Sequence, residues 1–256
     1  MNHKPNKAVF ADTTMTLGEH IEELRARLIL AVLGLGVAVV VCMFLGKFII
    51  TFVEIPYVKA MGKDARLQCI DPAEGFISYM EISLIAGVVV ASPWIFYHLW
   101  RFVGAGLYPH ERRYVYFAVP FSAGLFIAGA LFFIFVIAPV TLQFFVLFNK
   151  KFLRVSSNFT FANYISFVST LMLVFGLAFQ SPIAIFVLNR TGLTSIAALR
   201  NSRKYVFLGT VIVAASVIPG SDAFSLFALA IPVYLLYELG ILLCRFVPRR
   251  RQNEQL

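Results

Sequence analysis

Long apolar runs alternate with short polar stretches along most of the chain. They fall at about residues 28–46, 76–100, 114–138, 162–188, 205–218 and 223–243. A run of ~18 or more apolar residues is long enough to cross a bilayer as a helix. The pattern predicts an all-α membrane protein with six transmembrane helices. The fifth run, of about 14 residues, would rise only ~21 Å as a helix, against a hydrocarbon core of ~30 Å. It must thin the bilayer or sit inside protein. The fifth and sixth spans are both expected to be short, parted only by Pro219-Gly220-Ser221-Asp222.

Ahead of the first run, Leu17, Ile21, Leu24 and Leu28 share one helix face, and Glu19, Glu22, Glu23, Arg25 and Arg27 fill the rest. This predicts an N-terminal amphipathic helix at the membrane surface, running straight into the first span. Thr16 and Glu19 have the spacing of a capping box. A cleaved signal peptide fits poorly, because the apolar core exceeds ~7–15 residues and glutamates precede it. Residues 1–15 are expected to be a disordered polar tail, 16–246 a single membrane domain and 247–256 a basic tail. The stretch 47–75, with Pro56 and Pro72, reads as a loop holding at most a short interfacial helix. Pro139 is expected to kink or end the third span. Residues 149–161 read as a polar loop and 190–204 as a basic one.

Composition excludes a soluble domain: 60% of residues are hydrophobic and 14% charged, and the mean hydropathy is +0.83, whereas soluble chains run nearer half and a quarter. The net charge of +9 would suggest nucleic acid in a soluble protein, but its distribution has a simpler cause. With six spans both termini share one side, which carries 15 of the 22 lysines and arginines. The positive-inside rule places that side, with both termini, in the cytoplasm. No nucleic-acid motif is present and no nucleic-acid partner is expected. Cys42, Cys69 and Cys244 lie far apart, without metal or redox spacing; Cys42 and Cys244 read as packing residues. No phosphate-binding loop, dinucleotide fingerprint, zinc-protease motif or Ser/His/Asp set occurs. Neither enzymatic activity nor a cofactor is expected, so work against a gradient would draw on outside energy or a partner.

The most charged tight connection between two spans is residues 98–113, HLWRFVGAGLYPHERR. It and the amphipathic segment lie on the same predicted face, which is basic, so their carboxylates are informative. Glu23 and Glu111 could hold two guanidinium groups through forked hydrogen bonds. The competing reading is local pairing, since Glu23 has Arg27 at i+4 and Glu111 adjoins two arginines. Gln180 lies near mid-bilayer and needs partners, either across helices of one subunit or on another protein. Asp222 either caps the sixth helix or acts as a functional carboxylate in a tight turn. Glu81 reads as interfacial. Glu238, towards the cytoplasmic end of the sixth span, is open to a functional or a structural role.

Several stretches resemble the TatC family, the six-span core of the twin-arginine protein translocase. They are HIEELRARL (20–28), Pro56, SPWIFYHLWRF (92–102), GLYPHERR (106–113), and Asp222 with FSLFALAIPVYLLYELG (224–240). They occur in the family's order and cover residues 17–246. The resemblance implies a cupped helical array with short fifth and sixth spans. It implies a receptor for twin-arginine signal peptides of folded precursors, assembling with single-span TatA/TatB-type subunits and further TatC copies, and driven by the protonmotive force. Glu23 and Glu111 match the family's signal-recognition glutamates. Arg25, Phe102 and Tyr108 match positions linked to precursor binding. Gln180, Asp222 and Pro56 match positions tied to partners or transport. The chain departs at Ala105 (commonly Pro), Gln180 (often Glu), the longer fifth-to-sixth turn and Leu226 (often a polar residue). The implied location is the bacterial inner membrane. The alternatives are a proton-coupled small-molecule transporter, which would need an acid deep in a span, and a purely structural membrane scaffold.

Overall fold

The computed structural model describes residues 17–62, 66–105, 112–155, 157–217 and 223–246. Among them the chain is nearly all helical. The one sheet-like feature is an isolated parallel bridge between Gln68 and Thr160. The helices are α1 (Leu17–Phe44), α2 (Gly46–Val53), α3 (Ile55–Met61), α4 (Glu74–Ala105), α5 (Arg112–Phe132), α6 (Ala138–Phe148), α7 (Phe161–Ala178), α8 (Ser181–Arg190), α9 (Ile196–Asn201), α10 (Arg203–Val217) and α11 (Ala223–Phe246). Five helical stretches are long and apolar enough to cross a membrane: Ile21–Phe44, Glu74–Ala105, Tyr116–Leu153, Phe161–Arg190 and Leu226–Phe246. Large apolar side chains point away from the protein, with Phe44 87%, Tyr116 81% and Phe48 74% exposed. Such outward faces suit a solvent of lipid tails.

Residues 17–28, expected to form a surface helix, and the first span make one unbroken helix, α1. The proposed Thr16 cap lies outside the described residues. The loop after α1 is more ordered than its two prolines suggest. It holds α2 and α3, with Pro56 in the first turn of α3, where a missing N–H costs nothing. Glu74 fastens the rest of this loop. Its Oε2 accepts from the Ile70 N–H at 2.7 Å and the Asp71 N–H at 3.3 Å, and its Oε1 accepts from the Ala162 N–H at the start of α7 at 2.7 Å.

The third span continues past Pro139. A π-helical turn, Phe133–Ile137, precedes α6, and the Ala138 N–H reaches the Phe133 carbonyl, five residues back. The widened turn takes up the proline, which sits in the first turn of α6. A second π turn, Asn149–Leu153, extends the helix into the expected polar loop. The fourth span is broken at Phe179–Gln180, and Pro182 begins α8. The basic stretch 190–204 contains α9, capped by Ser195 Oγ, which accepts from the Ala198 N–H at 3.1 Å. The expectation of a short sixth span is corrected. α11 has 24 residues and runs through Pro232, whereas α10, with 15, is short. Prolines are tolerated within membrane helices whose freed carbonyls find other partners.

The core lies between α4, α7 and the π turn, where Ile82, Phe133, Ile134, Ile165, Val168 and Phe175 are each at most 1% exposed. α1 packs chiefly on α4, through small residues. An added methyl group at Gly87 would stand 2.9 Å from the Val39 Cα, and one at Gly34 would meet the Trp94 ring. Trp94 Nε1 donates to the Leu30 carbonyl at 2.9 Å, and the Tyr79 hydroxyl donates to the Met43 carbonyl. Close backbone approach at small residues is how membrane helices associate when lipid is as apolar as they are. Cys42 and Cys244 are buried, as packing residues should be, and Cys69 is exposed. α11 lies on α8, and α10 lies on α11.

Candidate functional site

Glu23 stands in the second turn of α1, close to where α4 ends. Its Oε1 accepts from the Arg27 guanidinium at 3.2 Å, and the Arg27 and Glu23 side chains are 21% and 20% exposed. The i,i+4 spacing places the two groups on one helix face. The other oxygen, Oε2, is buried and has no hydrogen-bond partner among the described residues. An ionised carboxylate offers about four acceptor positions. One buried oxygen without a donor costs roughly 1–3 kcal/mol, or more when charged. This carboxylate is therefore only partly satisfied by the described residues.

His98, on α4, faces the same end of the molecule. It is 4% exposed, and neither ring nitrogen has a hydrogen-bond partner among the described residues. Its ring lies 4.6 Å from Trp94 and 5.2 Å from Tyr97 between centroids. Arg27 and Arg101 are near enough to act on it electrostatically. The Arg101 guanidinium donates to the Tyr97 hydroxyl at 2.5 Å. Sequence reasoning passed over His98, because nothing in its spacing separates a buried histidine from the polar start of a loop. Of the other residues implied by the resemblance, Arg25 is exposed and Phe102 half-buried. Tyr108, Glu111 and Asp222 lie outside the described residues. α4 runs on through Ala105. A proline at that position would push the preceding residue out of helical geometry.

A second group of polar contacts crosses the bundle deeper in the chain. Gln180, at the α7–α8 break, donates through Nε2 to the Ser122 carbonyl at 2.9 Å. Ser122 is fully buried, and its hydroxyl accepts from Trp100 Nε1 at 2.7 Å. Trp100, Ser122 and Gln180 thus join α4, α5 and the break in one line. Gln180 is engaged inside the chain through this bond. Pro56 is wholly enclosed and lies in the first turn of α3. Leu226 is half-buried against the core.

The remaining acids in the spans are occupied locally. Glu81 on α4 is near enough to Ser166 on α7 for the hydroxyl to act on its carboxyl. Glu238 on α11 accepts from Arg203 at 2.6 Å and from the Tyr234 hydroxyl at 3.2 Å. Among the described residues no group of three His, Cys, Asp or Glu side chains is placed to hold a metal ion.

Residues 19–232 match the family model of TatC, the Sec-independent protein translocase protein. Relatives of the same description are 32% identical in Aquifex aeolicus, covering 94% of this chain and 99% of the relative, and 32% identical in Escherichia coli K12, covering 95% and 93%. A crystal structure of the twin-arginine translocase receptor TatC superimposes with a TM-score of 0.79 at 33% identity, covering 89% of this chain and 99% of the other. A second crystal structure of that receptor, in DDM, gives 0.81 at 33% identity, covering 88% and 99%.

Proposed function

The chain belongs to the TatC family of Sec-independent protein translocase proteins, and on that premise we propose that it is the receptor for twin-arginine signal peptides, gripping the arginine pair with Glu23 and Glu111. It is a core component of the twin-arginine translocase, a multi-pass membrane protein and not an enzyme.

The observation that carries the receptor reading is the Glu23 carboxylate. One of its oxygens is taken by Arg27 and the other is buried without a donor among the described residues. A guanidinium from outside would supply that donor in the forked geometry carboxylates favour. Arg25, Phe102 and Tyr108 flank the bound segment, and the apolar part of the signal lies along the concave side near Gln180. Glu238 on α11 is paired with Arg203 and Tyr234, which favours a receptor over a proton-coupled transporter.

The same proposal fixes the topology. α10 is the fifth of six spans in a cupped array, both termini are cytoplasmic in the inner membrane, residues 16–246 form the membrane domain, and 1–15 and 247–256 are tails. Single-span TatA/TatB-type subunits and further copies of the chain complete the translocase. Asp222, Gln180 and Pro56 serve partner contact or transport, Pro56 by setting the start of α3.

The test is photo-crosslinking of an Arg-Arg signal peptide in membranes, compared with its Lys-Lys counterpart. Glu23→Gln and Glu111→Gln should each cut Arg-Arg capture about tenfold or more, the scale of one charge-assisted hydrogen bond. The variants should remain inserted. Unchanged capture, or equal capture of Lys-Lys, removes these glutamates from the site.

A further inference from the structure

A cavity of about 540 Å³ lies between α5, α8 and α11. We infer that it binds an anionic phospholipid, with an acyl chain in the cavity and the headgroup phosphate on Arg190. The walls include Phe121 and Leu125 from α5, Ile183 and Val187 from α8, and Leu239 and Leu243 from α11. Arg190 is the one charged or hydrogen-bonding side chain among the lining residues. It ends α8, with its guanidinium over the Phe186 ring at 5.3 Å from the centroid. The cavity is open sideways: Phe117 and Phe121, on its α5 wall, are 68% and 62% exposed.

Three features select the occupant. First, apart from Arg190 the described walls hold no side chain that could satisfy a peptide backbone, so the guest is hydrocarbon along most of its length. A buried peptide group without partners is costly. Second, the cavity opens sideways past Phe117 and Phe121, and a single acyl chain is slender enough to enter by that route. Third, the one charge among the described lining residues is positive. It opposes a signal peptide bearing two arginines and complements a phosphate. Arg190 also opens the basic stretch 190–204, which the proposed topology puts in the cytoplasm. Basic pockets between membrane helices on that side suit anionic headgroups.

Native mass spectrometry of the full-length protein in detergent tests this. Phosphatidylglycerol and phosphatidylcholine of identical acyl chains are added in competition. The wild type should retain phosphatidylglycerol in preference. Arg190→Gln should reduce that preference roughly fivefold, the scale of one cationic group at a lipid surface, and Arg190→Lys should keep it. Leu125→Trp, which fills the cavity, should lower retention of both lipids. Equal retention of the two lipids by the wild type overturns the proposal, as does an undiminished preference in Arg190→Gln. A photo-reactive residue at position 187, in vesicles of mixed phosphatidylglycerol and phosphatidylcholine, gives a second reading. It should label lipid, and capture of a twin-arginine peptide or of a single-span subunit there instead counts against a lipid site. Twin-arginine recognition through Glu23 is read separately, by the crosslinking described above.

Discussion

His98 places two ring nitrogens in an aromatic setting with no hydrogen-bond partner among the described residues. A buried polar group left unpaired costs roughly 1–3 kcal/mol, and an apolar replacement of similar shape removes that cost. His98→Phe should therefore raise the thermal stability of the purified protein by about 1 kcal/mol. A fall in melting temperature would mean that the imidazole is satisfied after all. Glu54, between α2 and α3, gives a residue-scale effect of pH. Burial pushes its carboxyl above the usual carboxylate range. The folded chain then holds this proton more tightly than the unfolded chain does. Stability falls as pH rises from the ordinary value through the raised one, and returns as pH drops. Glu54→Gln stays neutral, so it should melt higher than the wild type near neutral pH and lack that pH slope. Matching slopes in the two proteins would clear Glu54 as the source. Neither effect was legible in the sequence, where His98 and Glu54 look like ordinary polar residues beside apolar runs. Burial alone sets them apart, and burial comes from helices distant in the chain. Glu23 was legible as a candidate because it is an acid on a face expected to be basic and matches the family resemblance, and its pairing with Arg27 was legible from their i,i+4 spacing. The state of its second oxygen was not, since that depends on what covers it.

At the scale of elements, apolar run length placed the long helices well and said little about what joins them. α2, α3 and α9 lie in stretches whose prolines and charges read as loop. They are helical because caps and packing supply what local propensity lacks: Ser195 for α9 and the contact of α3 with α6. The π turn before Pro139 shows the same limit. A proline in sequence marks a place where hydrogen bonds must be rearranged, but the rearrangement is chosen by the neighbours. The α1–α4 pair is the sharpest case. α1 rests mainly on α4, and Gly87 brings the two backbones together, with Val39 Cα 2.9 Å and Val39 N 3.0 Å from where a methyl carbon would stand. Gly87→Ala must push α1 outward. We expect a loss of stability of about 1–3 kcal/mol, as for overpacking, and a weaker twin-arginine crosslink, because Glu23 rides on α1. A melting temperature and crosslink equal to the wild type would show that α1 can shift at no cost.

For the molecule as a whole, hydropathy sufficed to read a membrane protein of many spans, and short motifs sufficed to read the family. The broken fourth span and the length of α11 needed three dimensions. α10 carries the largest consequence at this scale. Its 15 residues rise ~22 Å, about 8 Å less than a typical hydrocarbon core. As the proposed fifth span, it leaves lipid tails along its flank without a matching apolar wall. The bilayer there is strained like a dimpled elastic sheet, and the strain relaxes when two dimples merge. Mismatch costs fractions of a kcal/mol per ångström and drives some helices together. The edge of the molecule that carries α10 is thus mechanically adhesive, drawing in any neighbour that thins the membrane equally, before a single side chain has touched.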